Sequence, residues 1–300
     1  AVAGAANNAA GTTFTTIPGA LYGGRDPNAS DNALGSINTA EHVTKVTLAG
    51  GSVGGIDSGF SFNAITSSRA GDDDASGRTV QGSLRQFIQN ANVLAGLQTA
   101  NFSIGGGGQK VINVSGSELP TITGTVILDA TATQEGAAGV PIIELSGALL
   151  GGGSGLTLSS TDSVIRGFAI NRFTQGIFLT GGGGNTITGN YLGTDLDGTI
   201  DRGNQYGIRI DASNDNRIGI AAGGNLISGN DVDGIWVRNS TGNLIRGNYI
   251  GTDRTGTLAI ANGEDGVGLD GGAGNVVGGT FAGDRNVISG NGWAGVALSG

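Results

Sequence analysis

Residues 243–257 read NLIRGNYIGTDRTGT, and residues 185–199 read NTITGNYLGTDLDGT. Both follow N-x-I-x-G-N-Y-x-G-T-D-x-x-G-T, and they start 58 residues apart (185 against 243). A phrase written twice is either a site used twice or a piece of architecture. The spacing of its surroundings decides between the two. Five short segments begin with glycine and then alternate: GIFLT from Gly176, GIRID from Gly207, GIWVR from Gly234, GVGLD from Gly266 and GVALS from Gly295. Nine positions after each of the first four glycines stands an asparagine: Asn185, Asn216, Asn243 and Asn275.

In all five segments the first and third residues after Gly are aliphatic, as in Ile177/Leu179, Ile208/Ile210 and Ile235/Val237. Alternation with period two is the mark of a half-buried strand. A strand that recurs about every 30 residues with the same face inward is one rung of a solenoid. The residues between leave room for two more short strands and their turns. The fold class is therefore all-β, a right-handed parallel β-helix whose coils stack at ~4.8 Å. A turn repeated at one position in each coil sets Asn185, Asn216, Asn243 and Asn275 above one another, where their amides form a hydrogen-bonded structural ladder. Coils with the long GTDxxGT excursion alternate with coils carrying NLISGN (225–230) or NVISGN (286–291), so the echo reads as architecture.

Composition agrees. Of 300 residues 61 are glycine, and 37% are hydrophobic, too apolar and too patterned for a disordered chain. The net charge is −9 with only two lysines, Lys45 and Lys110, so there is no basic patch for a nucleic-acid backbone. There is no cysteine, hence no disulfide framework, and the single histidine, His42, builds no multi-histidine metal site. No apolar run approaches the ~20 residues that span a membrane. The start AVAGAANNAAG carries neither initiator Met nor signal peptide and reads as a processed polypeptide, placed outside the cell or on its surface.

The coil period is absent from 1–78, which reads as a tail and a small β-rich region, with AGDDDASG (70–77) as a solvated hinge; 79–300 reads as the β-helix. Within GSLRQFIQNAN (82–92), Leu84, Phe87, Ile88 and Ala91 fall at helical spacing and Ser83 suits an N-cap. An open solenoid end exposes apolar core and strand edges. The helix near 83–92 is therefore expected to cap the N-terminal end, with Leu84, Phe87 and Ile88 turned onto the first coil.

NTITGNYLGTDLDGT, NLISGN, NLIRGNYIGTDRTGT and NVISGN resemble the repeats of bacterial cell-surface and exported proteins built as right-handed parallel β-helices. The run 58–92 is similar to the segment that precedes such helices in very large exported proteins. The resemblance implies fold and surface location, and it implies no catalytic residues.

Outward positions carry the candidate chemistry. Two residues after each Gly stand Phe178, Arg209 and Trp236, and four after stand Asp211, Arg238 and Asp270. Stacking sets each set side by side, an aromatic–Arg–acid surface able to contact elongated glycans, with Arg209 over Trp236. The plainer reading is an exposed ion-pair ladder at ~0–1 kcal/mol per pair. As an enzyme, Asp211 and Asp270 would lie ~9–10 Å apart at Cα, the upper edge of the ~6.5–9.5 Å used for inversion. Arg238 between them opposes the protonation that a general acid needs. The pairs Asp231/Asp233 and Glu264/Asp265 are expected in solvated turns.

No metal cluster emerges. DLDG (195–198) resembles part of a calcium loop, but its echo DRTG (253–256) loses the second carboxylate, so the repeated feature is the turn. The expectation is thus no cofactor, with structural calcium as the weaker option. The sequence ends at GVALSG within a coil, which fits either a segment of a larger surface polypeptide or end-to-end self-association into a filament. The function expected is a non-enzymatic structural or adhesive surface protein, a segment or subunit of a fibre, filament or surface layer. The alternative is a polysaccharide-binding module, lyase or glycoside hydrolase on the same scaffold.

Overall fold

A computed structural model describes residues 63–68, 82–106, 108–131, 140–221 and 223–299. Residues 1–62, with His42, the 70–77 hinge and the boundary expected at 78/79 lie outside the described residues; of the N-terminal region the strand Ala64–Ile65 is described, paired in parallel with Asn101–Phe102.

The chain winds repeatedly through three parallel sheets. The first stacks Ser154–Leu158, Gln175–Thr180, Tyr206–Asp211, Ile235–Arg238, Val267–Asp270 and Val296–Ser299. The second runs from Gln98–Thr99 through Val126–Asp129, Val164–Arg166, Thr186–Thr188, Arg217–Ile218 and Leu244–Ile245 to Val276–Val277. The third runs from Lys110–Ser115 through Ile143–Leu149, Phe168–Asn171, Tyr191–Leu192, Leu226–Ile227 and Tyr249–Ile250 to Val287–Ile288. Consecutive strands in sequence fall in different sheets, and each pairs in parallel with its counterpart one coil away. This is a parallel β-helix.

Register explains the core. Ile177 pairs with Ile208, Ile208 with Ile235, Ile235 with Val267 and Val267 with Val296, so the aliphatics of the G-φ-x-φ segments form one internal column. Ile187, Ile218 and Ile245 form a second column, and Ile170, Leu192, Ile227 and Ile250 a third. All but Val296 in the last rung, which is 42% exposed, are fully buried, at about 1.5–3 kcal/mol each for removal from water. The glycine opening each first-sheet strand has a steric reason. A Cβ on Gly207 would sit 2.6 Å from the Gly234 carbonyl, and one on Gly234 would sit 2.7 Å from that of Gly266.

The turns are held by three asparagine columns. In the first, Asn185 Nδ2 donates to Asn216 Oδ1 at 3.1 Å, Asn216 to Asn243 at 2.9 Å and Asn243 to Asn275 at 3.0 Å. The second runs Asn190, Asn225, Asn248, Asn286, and the third Asn204, Asn230, Asn262, Asn291. Backbone amides join in, as when Asn190 N donates to Asn225 Oδ1 at 3.0 Å. Buried amides on this scale are tolerable because their donors and acceptors are paired along the stack.

At the N-terminal end lies the helix Leu84–Val93, whose first turn is capped by Ser83 Oγ accepting from Gln86 N. Leu84, Phe87 and Ile88 are buried within the same core cluster as the coil interior. Arg85 donates to the carbonyls of Ser117 and Glu118, and Asn92 bonds Thr121 O and Thr123 N.

The repeated excursions fold back over the outside of the third sheet. Asp195 Oδ1 accepts from Thr199 N and Ile200 N, and Asp253 Oδ1 from Thr257 N and Leu258 N. Both aspartates pin turns. Leu196 is thereby pressed onto Tyr191, Leu226 and Ala169, a small apolar cluster outside the main core.

Candidate functional site

The outer face of the first sheet gathers the sequence-predicted residues into stacked columns. Phe178 pairs with Arg209, Arg209 with Trp236 and Trp236 with Gly268. Arg209 lies between two rings, its guanidinium carbon 5.0 Å from the Phe178 centroid and 4.9 Å from that of Trp236. Its Nη2 also meets Asp211 Oδ2 at 3.0 Å. Arg238 stands 5.9 Å from the Trp236 ring and 4.0 Å from both Asp211 and Asp270. The contrast sets the hierarchy: a 3.0 Å contact is a charge-assisted hydrogen bond, whereas 4.0 Å pairs at a half-exposed surface are worth ~0–1 kcal/mol. Arg209 is fixed by two rings and a carboxylate. Arg238 is loosely held.

A third column, one residue before each glycine, completes the face. Tyr206 stacks on Trp236 with ring centroids 5.2 Å apart and planes at 22°. A Cβ built on Gly268 would lie 3.5 Å from both Asp233 Oδ2 and Trp236 Cδ1. Asp233 therefore borders the indole, and Gly268 leaves that edge bare. The residues predicted from the sequence stand two and four after Gly, whereas the position before Gly, where Gln175, Tyr206, Asp233 and Asp265 recur in the same register, belongs to this face as well. In the sequence alone Asp233 is expected in a solvated turn. The structure corrects this: Asp233 is 8% exposed, because the coil above covers it and the Asp265 amide donates to its Oδ1 at 3.0 Å.

Burial raises the Asp233 pKa to about 6; the Asp265 amide pulls the other way, and the charges of Asp265 and Glu264 add to the rise. Tyr206 is likewise shifted up, first by burial and then by Asp233. The face thus offers an aromatic platform of Tyr206 and Trp236, a pinned guanidinium, and a carboxyl that exchanges its proton in mildly acidic water. Stacking on a sugar's apolar face, and hydrogen bonds to its hydroxyls, are within its means.

The sequence profile of the family described as periplasmic copper-binding protein (NosD) matches residues 103–277. Among solved structures, the chain is similar to the enzymatically active domain of tailspike protein 2 of bacteriophage CBA120, at 13% identity and a TM-score of 0.30, over 67% of this chain and 35% of that one. Full-length tailspike protein 2 from an Escherichia coli O157:H7 bacteriophage matches at 14% and 0.32, over 67% and 31%. An alginate lyase from a Paenibacillus strain matches at 15% and 0.27, over 72% and 97%. The chain spans about a third of the length of the tailspike structures. The comparison with curated proteins gives no match.

The family match overturns the expectation of no cofactor, since the family is described as copper-binding. The residues in hand do not fit that metal. Copper is taken by imidazole, thiolate and thioether ligands, and the sequence has no Cys, no Met and one His. Among the described residues no three His, Cys, Asp or Glu side chains converge as a metal site.

Proposed function

The chain belongs to the NosD family of periplasmic copper-binding proteins, and from that premise we propose that it is an adhesive scaffold: a stiff exported β-helix that holds a glycan chain on the outer face of its first sheet without turning it over. The family's description puts it outside the cytoplasmic membrane, and no helix among the described residues is long and apolar enough to cross one. The observation that supports the binding role is the Tyr206–Trp236 platform, with Arg209 clamped behind it and Gly268 beside it. The repeated Asn and Asp side chains are spent on holding coils and turns, which supports reading the repetition as stiffness. Such a rod suits a segment or subunit of a surface layer, fibre or filament, self-associating end to end or continuing within a larger surface polypeptide.

A glycan array probed with the full chain tests this. The proposal expects retained glycans, lost with Trp236→Ala and largely kept with Arg238→Gln. An array that stays blank, or is indifferent to Trp236→Ala, counts against it.

One observation favours a second reading, carbohydrate cleavage: Asp233 titrates near pH 6 beside the aromatic platform, the range in which a general acid works. An assay for new reducing ends and unsaturated products separates the two. Turnover that disappears with Asp233→Asn would replace the adhesive reading.

A further inference from the structure

A cleft lies away from this face, on the outside of the third sheet and its turn from the second, with a volume of about 760 Å³. Its floor is the outward column of that sheet, where Tyr191, Leu226, Tyr249 and Val287 follow in register. Three arginines line it, Arg166, Arg254 and Arg285, and among the described residues no lining residue is acidic. In a chain of net charge −9 that is a marked reversal of sign.

The arginines are not spent on the fold. Among the described residues neither Arg254 nor Arg285 has a carboxylate within ion-pair distance, and both are exposed. Arg166 has only Asp129, at 3.8 Å with its own side chain 53% exposed. Asp284, next to Arg285, is engaged by Arg246 at 3.8 Å. Arg254 sits where the two excursions touch, its N–H on the Gly198 carbonyl, and its positive charge opposes the rise that burial gives the Tyr191 hydroxyl's pKa. The carboxylates whose charge reaches that hydroxyl, Asp197 and Asp195, belong to the excursion and not to the lining.

Geometry selects the ligand class. Arg166 enters the coil of Ala169, Arg254 bridges the levels of Tyr191 and Tyr249, and Arg285 enters the coil of Val287. Ala169 to Val287 is four register steps, about 19 Å at ~4.8 Å per step. Charges spread along a trough do not converge on one small anion. They match carboxylates that recur along an extended polymer, while Tyr249, 37% exposed, offers a ring for sugar stacking. We propose that this trough binds an acidic polysaccharide, a chain of uronic-acid residues, at a site separate from the first-sheet face.

The test is calorimetry with the full chain and polygalacturonate fragments, set beside a neutral glucan of matched length and a single-stranded DNA oligomer. The proposal expects binding of the uronate, weakened by salt, and none of the glucan. Arg254→Gln and Arg285→Gln should each weaken it about tenfold, the loss of one charge-assisted contact, with melting temperatures unchanged because both side chains are exposed. Trp236→Ala should leave it untouched, so failure here and failure of the first-sheet reading are distinguishable. Equal binding of glucan, uronate binding indifferent to both arginine variants, or DNA binding as tightly and through the same arginines would each overturn it.

Discussion

Replacing Asn225 by alanine probes what holds the coils in register. Its side chain is 1% exposed and makes four hydrogen bonds. Nδ2 donates to Ile187 O at 2.9 Å and to Asn248 Oδ1 at 3.0 Å, while Oδ1 accepts from Asn190 N at 3.0 Å and from Asn190 Nδ2 at 3.2 Å. The neighbours are not equally harmed. Ile187 O keeps the Gly219 amide, Asn248 Oδ1 keeps the Asn225 backbone N–H, and Asn190 Nδ2 keeps Ile165 O. Only the Asn190 N–H is stranded. Four bonds at about 1 kcal/mol net each give ~4 kcal/mol, of which the stranded amide accounts for about 1–3 kcal/mol. Asn225→Asp should cost at least as much at neutral pH, since it turns two donors into a buried charge facing two oxygens. Asp270→Ala, whose carboxylate meets Arg238 only at 4.0 Å on the half-exposed outer face, should stay within about 1 kcal/mol. Solenoids can unfold in parts, so one urea midpoint is not enough. Hydrogen exchange over peptides spanning 185–192 and 225–230 reads the local loss directly. If Asn225→Ala costs no more than Asp270→Ala and exchange at 185–192 does not rise, the ladder is not what fixes the register.

Further outcomes follow from the same geometry. Asp233 has its pKa raised from 3.8 to about 6 by burial. Below 3.8 both folded and unfolded chains carry its proton, between 3.8 and 6 only the folded chain does, and above 6 the folded chain bears the buried charge. Its contribution therefore declines as pH rises through that window, and Asp233→Asn should remove the slope in a melting-temperature profile. Asp253 has the opposite sign. Amide donation from Leu258, aided by the Thr255 hydroxyl, lowers it from 3.8 to about 2, so its contribution stands above 3.8 and is lost as pH falls towards 2. Exchange of the 253–258 turn amides should quicken over that range. Gly224→Ala should unfold the neighbouring coils or fail to express soluble protein, because a Cβ there runs into the Gly247 carbonyl; a melting temperature within a degree or so of wild type would contradict that.

The sequence disclosed the winding because the G-φ-x-φ strands recur with little drift, and alternation survives any change in the turns. It disclosed one asparagine column for the same reason: the steps among Asn185, Asn216, Asn243 and Asn275 are 31, 27 and 32 residues, all at a fixed offset from the glycines. The column Asn190–Asn225–Asn248–Asn286 steps by 35, 23 and 38, because excursions and turn insertions fall between its members. Spacing alone does not find such a column; stacking does. Asp233 was missed on different grounds. A turn position one residue before a glycine looks solvated in one dimension, and only the next coil, laid over it, makes it buried. The arginine-lined trough is least legible, since Arg166, Arg254 and Arg285 occupy no common repeat position.

The most direct test of the scaffold account sets retention against cleavage on one sample. The full chain is incubated with glycans that it retains, at pH 5 to 7 across the titration of Asp233, and the length of the bound chains is followed with time. The account predicts chains held undiminished, with retention lost in Trp236→Ala and kept in Asp233→Asn. Steady shortening of the glycan that stops in Asp233→Asn would contradict it and make the outer face a catalytic one.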